Sequence, residues 1–247
     1  MNNMSFLIGD IKQILAQAAE QNYNWNDDDT FDTYNQEEVL LRNISPNHIA
    51  ALLHYTEKFA LHYIASKLTP KSVVVEIGTF LGGSAAIMAY ANPSIQIISI
   101  DPYDSNVHTV RKNQREMLET VYGEGRERTI ENAAEWLYKF HNNVTLHRAY
   151  SPHGCSTIPG VQEGIDVYFE DGVHRNPGLK NNIDFWFPKV KSGGLILMHD
   201  YRPWLPPSLS NPPYRFRDVE QHVNALIQQN KAKMLGYVCS LAVLQKV

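Results

Sequence analysis

VVVEIGTFLGGSAAIMA, residues 73–89, sets the fold of this chain. Its three valines and first isoleucine predict a buried β-strand, because β-branched side chains pack well on a pleated sheet. The small residues that follow predict a helix, whose first turn Ser84 can cap through its hydroxyl. Gly78 suits the tight turn between strand and helix, and Gly82 lets another group approach the backbone closely. We therefore predict a strand, a glycine turn and a helix in direct succession.

The same alternation continues along the chain. Further β-branched or apolar runs predict four more strands, which are IQIISID, NVTLHRAY, GIDVYFED and GGLILMHD. Helical segments separate several of them, and KMLGYVCS with SLAVLQKV predicts a closing strand pair. The central strands are apolar on both faces, which is typical of a parallel sheet covered by helices on both sides. The pattern predicts an α/β fold with a mostly parallel sheet.

Composition narrows the possible functions. The chain has 247 residues, 43% of them hydrophobic, and a formal net charge of -4. This charge argues against nucleic acid as the main partner, although a local basic patch remains compatible with it. We find no signal peptide and no apolar stretch of membrane-spanning length, so we expect no membrane partner and a cytoplasmic location. Cys155 and Cys239 form no CxxC pair and are expected to be reduced thiols.

The chain divides into two parts. Residues 1–45 combine a short helical pattern with a polar, acidic and aromatic stretch, and we interpret them as an N-terminal helical arm. Such an arm can also serve as a lid or a contact in a homo-oligomer. Ser45 and Pro46 are typical of a helix start, and residues 46–247 form the predicted catalytic domain.

Four acidic residues stand at or just past the ends of predicted strands. They are Glu76, Asp101, Asp171 and Asp200. In open parallel sheets, ligands bind beyond the carboxyl ends of the strands, at the switch point of the strand order. The convergence of these carboxylates on one edge therefore predicts a binding or catalytic site there.

The glycine turn excludes two common ligand classes and favours a third. Phe80 replaces the second glycine of the dinucleotide pattern G-x-G-x-x-G, and no Gly-Lys-Ser/Thr of a P-loop is present. Glu76 would repel a pyrophosphate but can hold a cationic ligand. Asp101, at the end of the next strand, is placed for two ribose hydroxyls. A ligand with a ribose, a positive charge and no phosphate indicates S-adenosylmethionine.

At this point the sequence resembles a known family. VVVEIGTFLGGS, IISIDPYD, the D-G-x-H of residues 171–174 and GGLILMHDY are together similar to class I S-adenosylmethionine-dependent methyltransferases. Within that family, the sequence is similar to the group that contains the macrolide-sugar O-methyltransferases and the cephalosporin-hydroxylase-like proteins. It implies a Rossmann-like, mostly parallel seven-stranded sheet with helices on both faces and an antiparallel last strand. It also implies a set of cofactor-binding residues, which are Glu76, Gly78, Gly82, Ser84, Asp101, Tyr150 and Ser151.

The residues just past the fourth and fifth predicted strands are expected to remove the proton of the acceptor and to bind a metal ion. A histidine can take the proton of a hydroxyl acceptor, and a divalent cation can stabilise the resulting oxyanion. The resemblance implies that His174 is the general base and that Asp171 and Asp200 bind metal, with Mg²⁺ the first expectation. His199 stands where several relatives carry a second carboxylate, and imidazole suits Zn²⁺, Mn²⁺ or Fe²⁺ better. The third ligand and the metal therefore stay open, with His199 included in the predicted set.

A proline-rich segment, residues 201–217, follows the fifth strand and predicts a substrate loop. Tyr201, Trp204 and Arg215 are its candidate contacts with a small-molecule acceptor. The leading hypothesis is an O-methyltransferase acting on a hydroxyl of a sugar or natural product. N-methylation of a small molecule, and a non-catalytic cofactor-binding protein of the same fold, are the alternatives.

Overall fold

The computed structural model describes residues 51, 53, 55–104, 119, 123, 127–138, 141–162, 164–202 and 216–247. The predicted arm at residues 1–45 lies outside the described residues, as do Trp204 and Arg215.

A seven-stranded sheet forms the centre of the molecule. Its strands are Val73–Ile77 (β1), Gln96–Asp101 (β2), Val144–Arg148 (β3), Ile165–Glu170 (β4), Val190–Met198 (β5), Ala232–Val238 (β6) and Leu241–Lys246 (β7). The spatial order is β3-β2-β1-β4-β5-β7-β6. The first five strands are parallel, and β7 pairs antiparallel with both β5 and β6. The predicted fold class is confirmed, including the antiparallel last strand.

Helices cover both faces of this sheet. They are Tyr55–Lys67 (α1), Gly83–Ala91 (α2), Ile130–Tyr138 (α3), Gly178–Trp186 (α4) and Arg217–Gln228 (α5), and a 3-10 helix, Phe187–Lys189, follows α4. Alternate strand residues enter opposite cores, because successive side chains of a strand point to opposite faces. Val74 packs with α1, α2 and α3, whereas Val75 packs with α4 and α5. In the described part of the chain, no helix is both long and apolar enough to cross a membrane.

The carboxyl ends of β1 and β4 meet at the switch point of the strand order. There the backbone of the glycine turn touches the backbone of the segment after β4. A Cβ atom on Gly78, whose φ is +96°, would lie 2.5 Å from the carbonyl oxygen of Asp171. A Cβ on Gly172 would lie 2.9 Å from Cγ2 of Ile77. Glycine at both positions therefore allows the two predicted ligand-binding turns to pack directly against each other.

Candidate active site

Two histidines and two aspartates converge at the ends of β4 and β5. Nε2 of His174 lies 3.6 Å from Oδ1 of Asp171 and 3.4 Å from Oδ2 of Asp200. Nδ1 of His199 lies 2.8 Å from Oδ1 of Asp171 and 3.8 Å from Oδ1 of Asp200. The structure thus brings together the predicted base and all three predicted metal ligands.

Backbone contacts hold these residues in place. The amide of Asp171 donates to the carbonyl of Ile77, at 2.9 Å, which ties the end of β4 to β1. The amide of His199 donates to the carbonyl of Glu170, at 3.1 Å. Asp200 has a φ of 58°, so the chain turns sharply after β5 and its carboxylate stays at the edge of the sheet.

Glu170 supports the segment that carries Asp171 and His174. Its side chain is buried and accepts hydrogen bonds from the amides of Gly172 and Val173, at 3.2 and 3.1 Å. Asn182 of α4 and the hydroxyl of Tyr168 also donate to it. Burial raises the pKa of Glu170. Glu170 therefore stabilises the segment after β4 from its buried side, whereas Asp171 faces the site.

Glu57 and Ser240 complete the site, and neither was predicted from the sequence. Oε2 of Glu57, on α1, lies 3.3 Å from Nε2 of His199. Its Oε1 accepts hydrogen bonds from the amide and the hydroxyl of Ser240, both at 2.8 Å, in the turn between β6 and β7. The hydroxyl of Ser240 lies 3.2 Å from the same His199 nitrogen. The helix Tyr55–Lys67 also carries Lys58, His62 and Lys67, so its sequence pattern gave no signal that singled out Glu57.

The histidines and carboxylates shift one another's pKa values. Burial acts to lower the pKa of His199, but Asp171 and Glu57 outweigh it and raise this pKa well above its ordinary value. Burial also opposes protonation of His174, and Asp171 and Asp200 again prevail and raise its pKa. Burial acts to raise the pKa of Asp171, whereas His199 and His174 lower it overall. The pKa of Asp200 is raised, mainly by burial.

Two buried ring nitrogens in this cluster make no hydrogen bond within the described residues. They are Nε2 of His174 and Nδ1 of His199. Ligand atoms of Asp171, His174 and His199 all lie within 4.8 Å of one another. Buried polar nitrogens without hydrogen bonds are costly, and imidazole nitrogen beside carboxylate oxygen is a usual donor set for a divalent metal. The residues present therefore fit a metal ion.

Glu76 and Ser84, both predicted at the methionine end of the cofactor, contact each other directly. The hydroxyls of Ser84 and Ser99 donate to the carboxylate of Glu76, which is completely buried. Burial raises the pKa of Glu76 to about 7. At Gly82, a Cβ atom would lie 2.8 Å from Cδ1 of Leu137. Close packing against α3 is thus a sufficient reason for that glycine, besides the predicted approach of a ligand.

Asp101 lies at the end of β2, as predicted, and is already extensively bonded. It accepts hydrogen bonds from the amides of Phe80 and Tyr103, at 3.0 and 2.7 Å. Arg128, which the sequence did not single out, forms a buried ion pair with it at 2.8 Å. These contacts join the glycine turn, β2 and the segment before α3 around one carboxylate.

The remaining predicted contacts have structural partners. Ser151 accepts a hydrogen bond from Nε1 of Trp186, at 2.7 Å. Tyr150 is half exposed, and its hydroxyl donates to Asp104. Tyr201, predicted to contact the substrate, is buried and packs edge-on against Tyr237, with ring centroids 6.1 Å apart. Its ring therefore belongs to the hydrophobic core of the described structure.

Comparison with known proteins agrees with this geometry. Residues 75–201 match the family described as Methyltransferase domain. Protein R132 of Acanthamoeba polyphaga mimivirus is 25% identical over 182 residues, which cover 72% of this chain and 71% of that protein. A tRNA (guanine-N(7)-)-methyltransferase of Francisella tularensis subsp. novicida is 26% identical, over 63% of this chain and 65% of its own length.

Solved structures show the same fold. A protein from Staphylococcus aureus, described as a caffeoyl-CoA O-methyltransferase, has a TM-score of 0.54 at 16% identity, over 96% of this chain and 99% of that chain. One from Klebsiella pneumoniae, described as an O-methyltransferase, has a TM-score of 0.52 at 15% identity, over 98% of this chain and 99% of its own.

Proposed function

Because this chain belongs to the methyltransferase domain family of class I S-adenosylmethionine-dependent enzymes, we propose that it methylates a hydroxyl of a small molecule. A sugar or another natural-product alcohol is the expected acceptor. The observation that carries the proposal is the convergence of His174, Asp171 and Asp200 beside the glycine turn. A hydroxyl acceptor needs such groups, because its proton must be removed as the methyl group arrives.

The cofactor is expected to occupy the edge formed by β1 and β2. Glu76 and Gly78 would face its methionine end, where an acidic residue favours the positive sulfonium. Asp101 would take the ribose hydroxyls, and Tyr150 and Ser151 would approach the adenine. The position of all five groups at the carboxyl end of the sheet supports this placement.

Methyl transfer forms a carbon–oxygen bond as the carbon–sulfur bond breaks, and the acceptor loses a proton. We assign that proton to Nε2 of His174, which makes no hydrogen bond of its own in the described structure. The ring of Phe216 packs against the imidazole, with centroids 4.7 Å apart, and limits its rotation. Asp171 and Asp200 face the same nitrogen and would stabilise the imidazolium.

A divalent cation would be held by Asp171, His199 and Asp200. When bound, such an ion lowers the free energy of a developing alkoxide. The proximity of Nδ1 of His199 to both carboxylates supports this set, since donor atoms of one ion must lie close together.

The test is turnover of S-adenosylmethionine with a panel of alcohol and amine acceptors, followed as release of S-adenosylhomocysteine. We expect His174→Ala to lower kcat by about 10²- to 10⁴-fold while calorimetry shows unchanged cofactor binding. His153→Ala, at an exposed histidine, is the matched control and should keep full turnover. Full turnover in His174→Ala would refute the base assignment, and loss of bound metal in that variant would make His174 a ligand instead.

A second candidate is transfer to nitrogen. The likeness to a tRNA (guanine-N(7)-)-methyltransferase favours it, whereas the net charge of -4 favours a small acceptor over RNA. Amine turnover that dialysis against a chelator leaves unchanged would support N-methylation. Alcohol turnover that the chelator abolishes would support the leading proposal.

A further inference from the structure

We propose that Glu57 orients His199 as a metal ligand, and that the resulting donor set selects a transition-metal ion over Mg²⁺. This inference rests on the metal site of the proposed function but concerns the metal preference and a positioning residue on α1. It depends on the contacts of the two His199 ring nitrogens.

The two nitrogens of His199 face different surroundings. Nε2 lies 3.3 Å from Glu57 and 3.2 Å from the hydroxyl of Ser240. Nδ1 lies 2.8 Å from Oδ1 of Asp171 and makes no hydrogen bond within the described residues. An imidazole that binds a metal has lost one of its two ring protons, and the acceptor of the remaining N–H determines which nitrogen keeps the lone pair. With the N–H on Nε2, the lone pair of Nδ1 is available at the aspartates.

Glu57 is itself held firmly enough for this role. It is 2% exposed, and its second oxygen accepts two hydrogen bonds from Ser240. The carboxylate is thus anchored between α1 and the turn from β6 to β7. A carboxylate on the outer nitrogen of a ligating histidine orients the ring and raises its basicity.

The donor set differs from the one that Mg²⁺ prefers. Asp171 and Asp200 supply oxygens, but His199 supplies a buried nitrogen that lies 2.8 Å from Asp171 and 3.8 Å from Asp200. Mg²⁺ favours oxygen ligands in octahedral geometry. Imidazole nitrogen combined with carboxylate suits Zn²⁺, Co²⁺, Mn²⁺ or Fe²⁺. The nitrogen at position 199 therefore shifts the preference of this site toward a transition metal.

The first test uses metal alone on the full chain, after removal of bound metal and without cofactor or acceptor. Co²⁺ is titrated by its visible d–d absorption and Mg²⁺ by calorimetry. We expect Co²⁺ to bind at least about tenfold more tightly than Mg²⁺. His199→Asp restores an all-oxygen set and should reduce that ratio. Equal or tighter Mg²⁺ binding by the unmodified chain would overturn the metal preference.

The second test isolates Glu57. Glu57→Ala should weaken Co²⁺ binding by about 10- to 100-fold, and Glu57→Gln, which keeps an acceptor for Nε2–H, should recover most of it. Glu131→Ala, at an exposed glutamate of α3, is the control and should bind Co²⁺ normally. Unchanged Co²⁺ affinity and absorption in folded Glu57→Ala would refute the positioning role. If that variant does not fold, an affinity of Glu57→Gln far below that of the unmodified chain would refute the tautomer argument.

These measurements are independent of methyl transfer. Failure of the proposed acceptor chemistry would leave Co²⁺ binding intact. Failure of Co²⁺ binding would not decide whether His174 accepts the proton of the acceptor, which the turnover of His174→Ala tests separately.

Discussion

Replacement of Glu76 by glutamine should change how the stability of this protein depends on pH. Glu76 is completely buried at the end of β1, between the hydroxyls of Ser84 and Ser99. Burial raises its pKa from an ordinary value of 4.5 to about 7, because the charged carboxylate is poorly solvated there. The two serine hydroxyls favour the charged form but do not compensate fully.

The size of the effect follows from this shift. A rise from 4.5 to about 7 corresponds to about 3 kcal/mol, at about 1.36 kcal/mol for each pKa unit. Between these two pH values the folded chain keeps a proton that the unfolded chain has lost. The free energy of unfolding therefore falls as the pH rises through this window. Above it, the full cost of about 3 kcal/mol is present.

Glu76→Gln cannot ionise, so the variant does not incur this cost. Its free energy of unfolding, relative to the unmodified protein, should increase by about 3 kcal/mol from pH 4.5 to pH 7 and then stay level. Any constant difference from altered hydrogen bonding with Ser84 or Ser99 cancels, because only the change with pH is used.

Urea denaturation at a series of pH values measures this quantity. Glu127→Gln, at an exposed glutamate, is the matched control, and its curve should run nearly parallel to that of the unmodified protein. A Glu76→Gln difference that is constant across the series, or that decreases with pH, would show that Glu76 is not a destabilising buried carboxylate.

Two further substitutions test contacts at the carboxyl ends of β1 and β2. Gly78→Ala places a side chain at a positive φ and against the backbone of Asp171. It should lower the free energy of unfolding, measured by urea denaturation, by at least about 2 kcal/mol. Gly154 is the control, because its φ is also positive but a Cβ atom there would lie 4.0 Å from the nearest atom. Gly154→Ala should lower the free energy of unfolding by only about 1 kcal/mol. Equal losses in the two variants would contradict the clash at Gly78. Arg128→Met leaves the carboxylate of Asp101 without its ion pair and should cost about 3 kcal/mol. Adding Asp101→Asn should recover part of that loss, and no loss in the single variant would contradict the pairing.

Much of the fold follows from local patterns in the chain. The β-branched run at Val73–Ile77 predicted β1, and apolar residues on both faces of the central strands predicted a parallel sheet covered by helices. Asp171 and Asp200 could be placed at one edge because parallel strands end on the same side of a sheet. These inferences succeed because strand and helix propensities, and the apolar character of both strand faces, are carried by residues that are neighbours in sequence.

The partners of those edge residues depended on tertiary packing. Glu57 reaches His199 across 142 positions, and Arg128 reaches Asp101 from the segment before α3. The burial of Tyr201 beside Tyr237 likewise depends on how β6 and β7 close the sheet. A periodic pattern shows which face of a helix is buried, but it does not show which strand end a given side chain will meet. Which residues come into contact depends on the distances and angles at which the helices pack on the sheet. Many core side chains determine these distances and angles jointly.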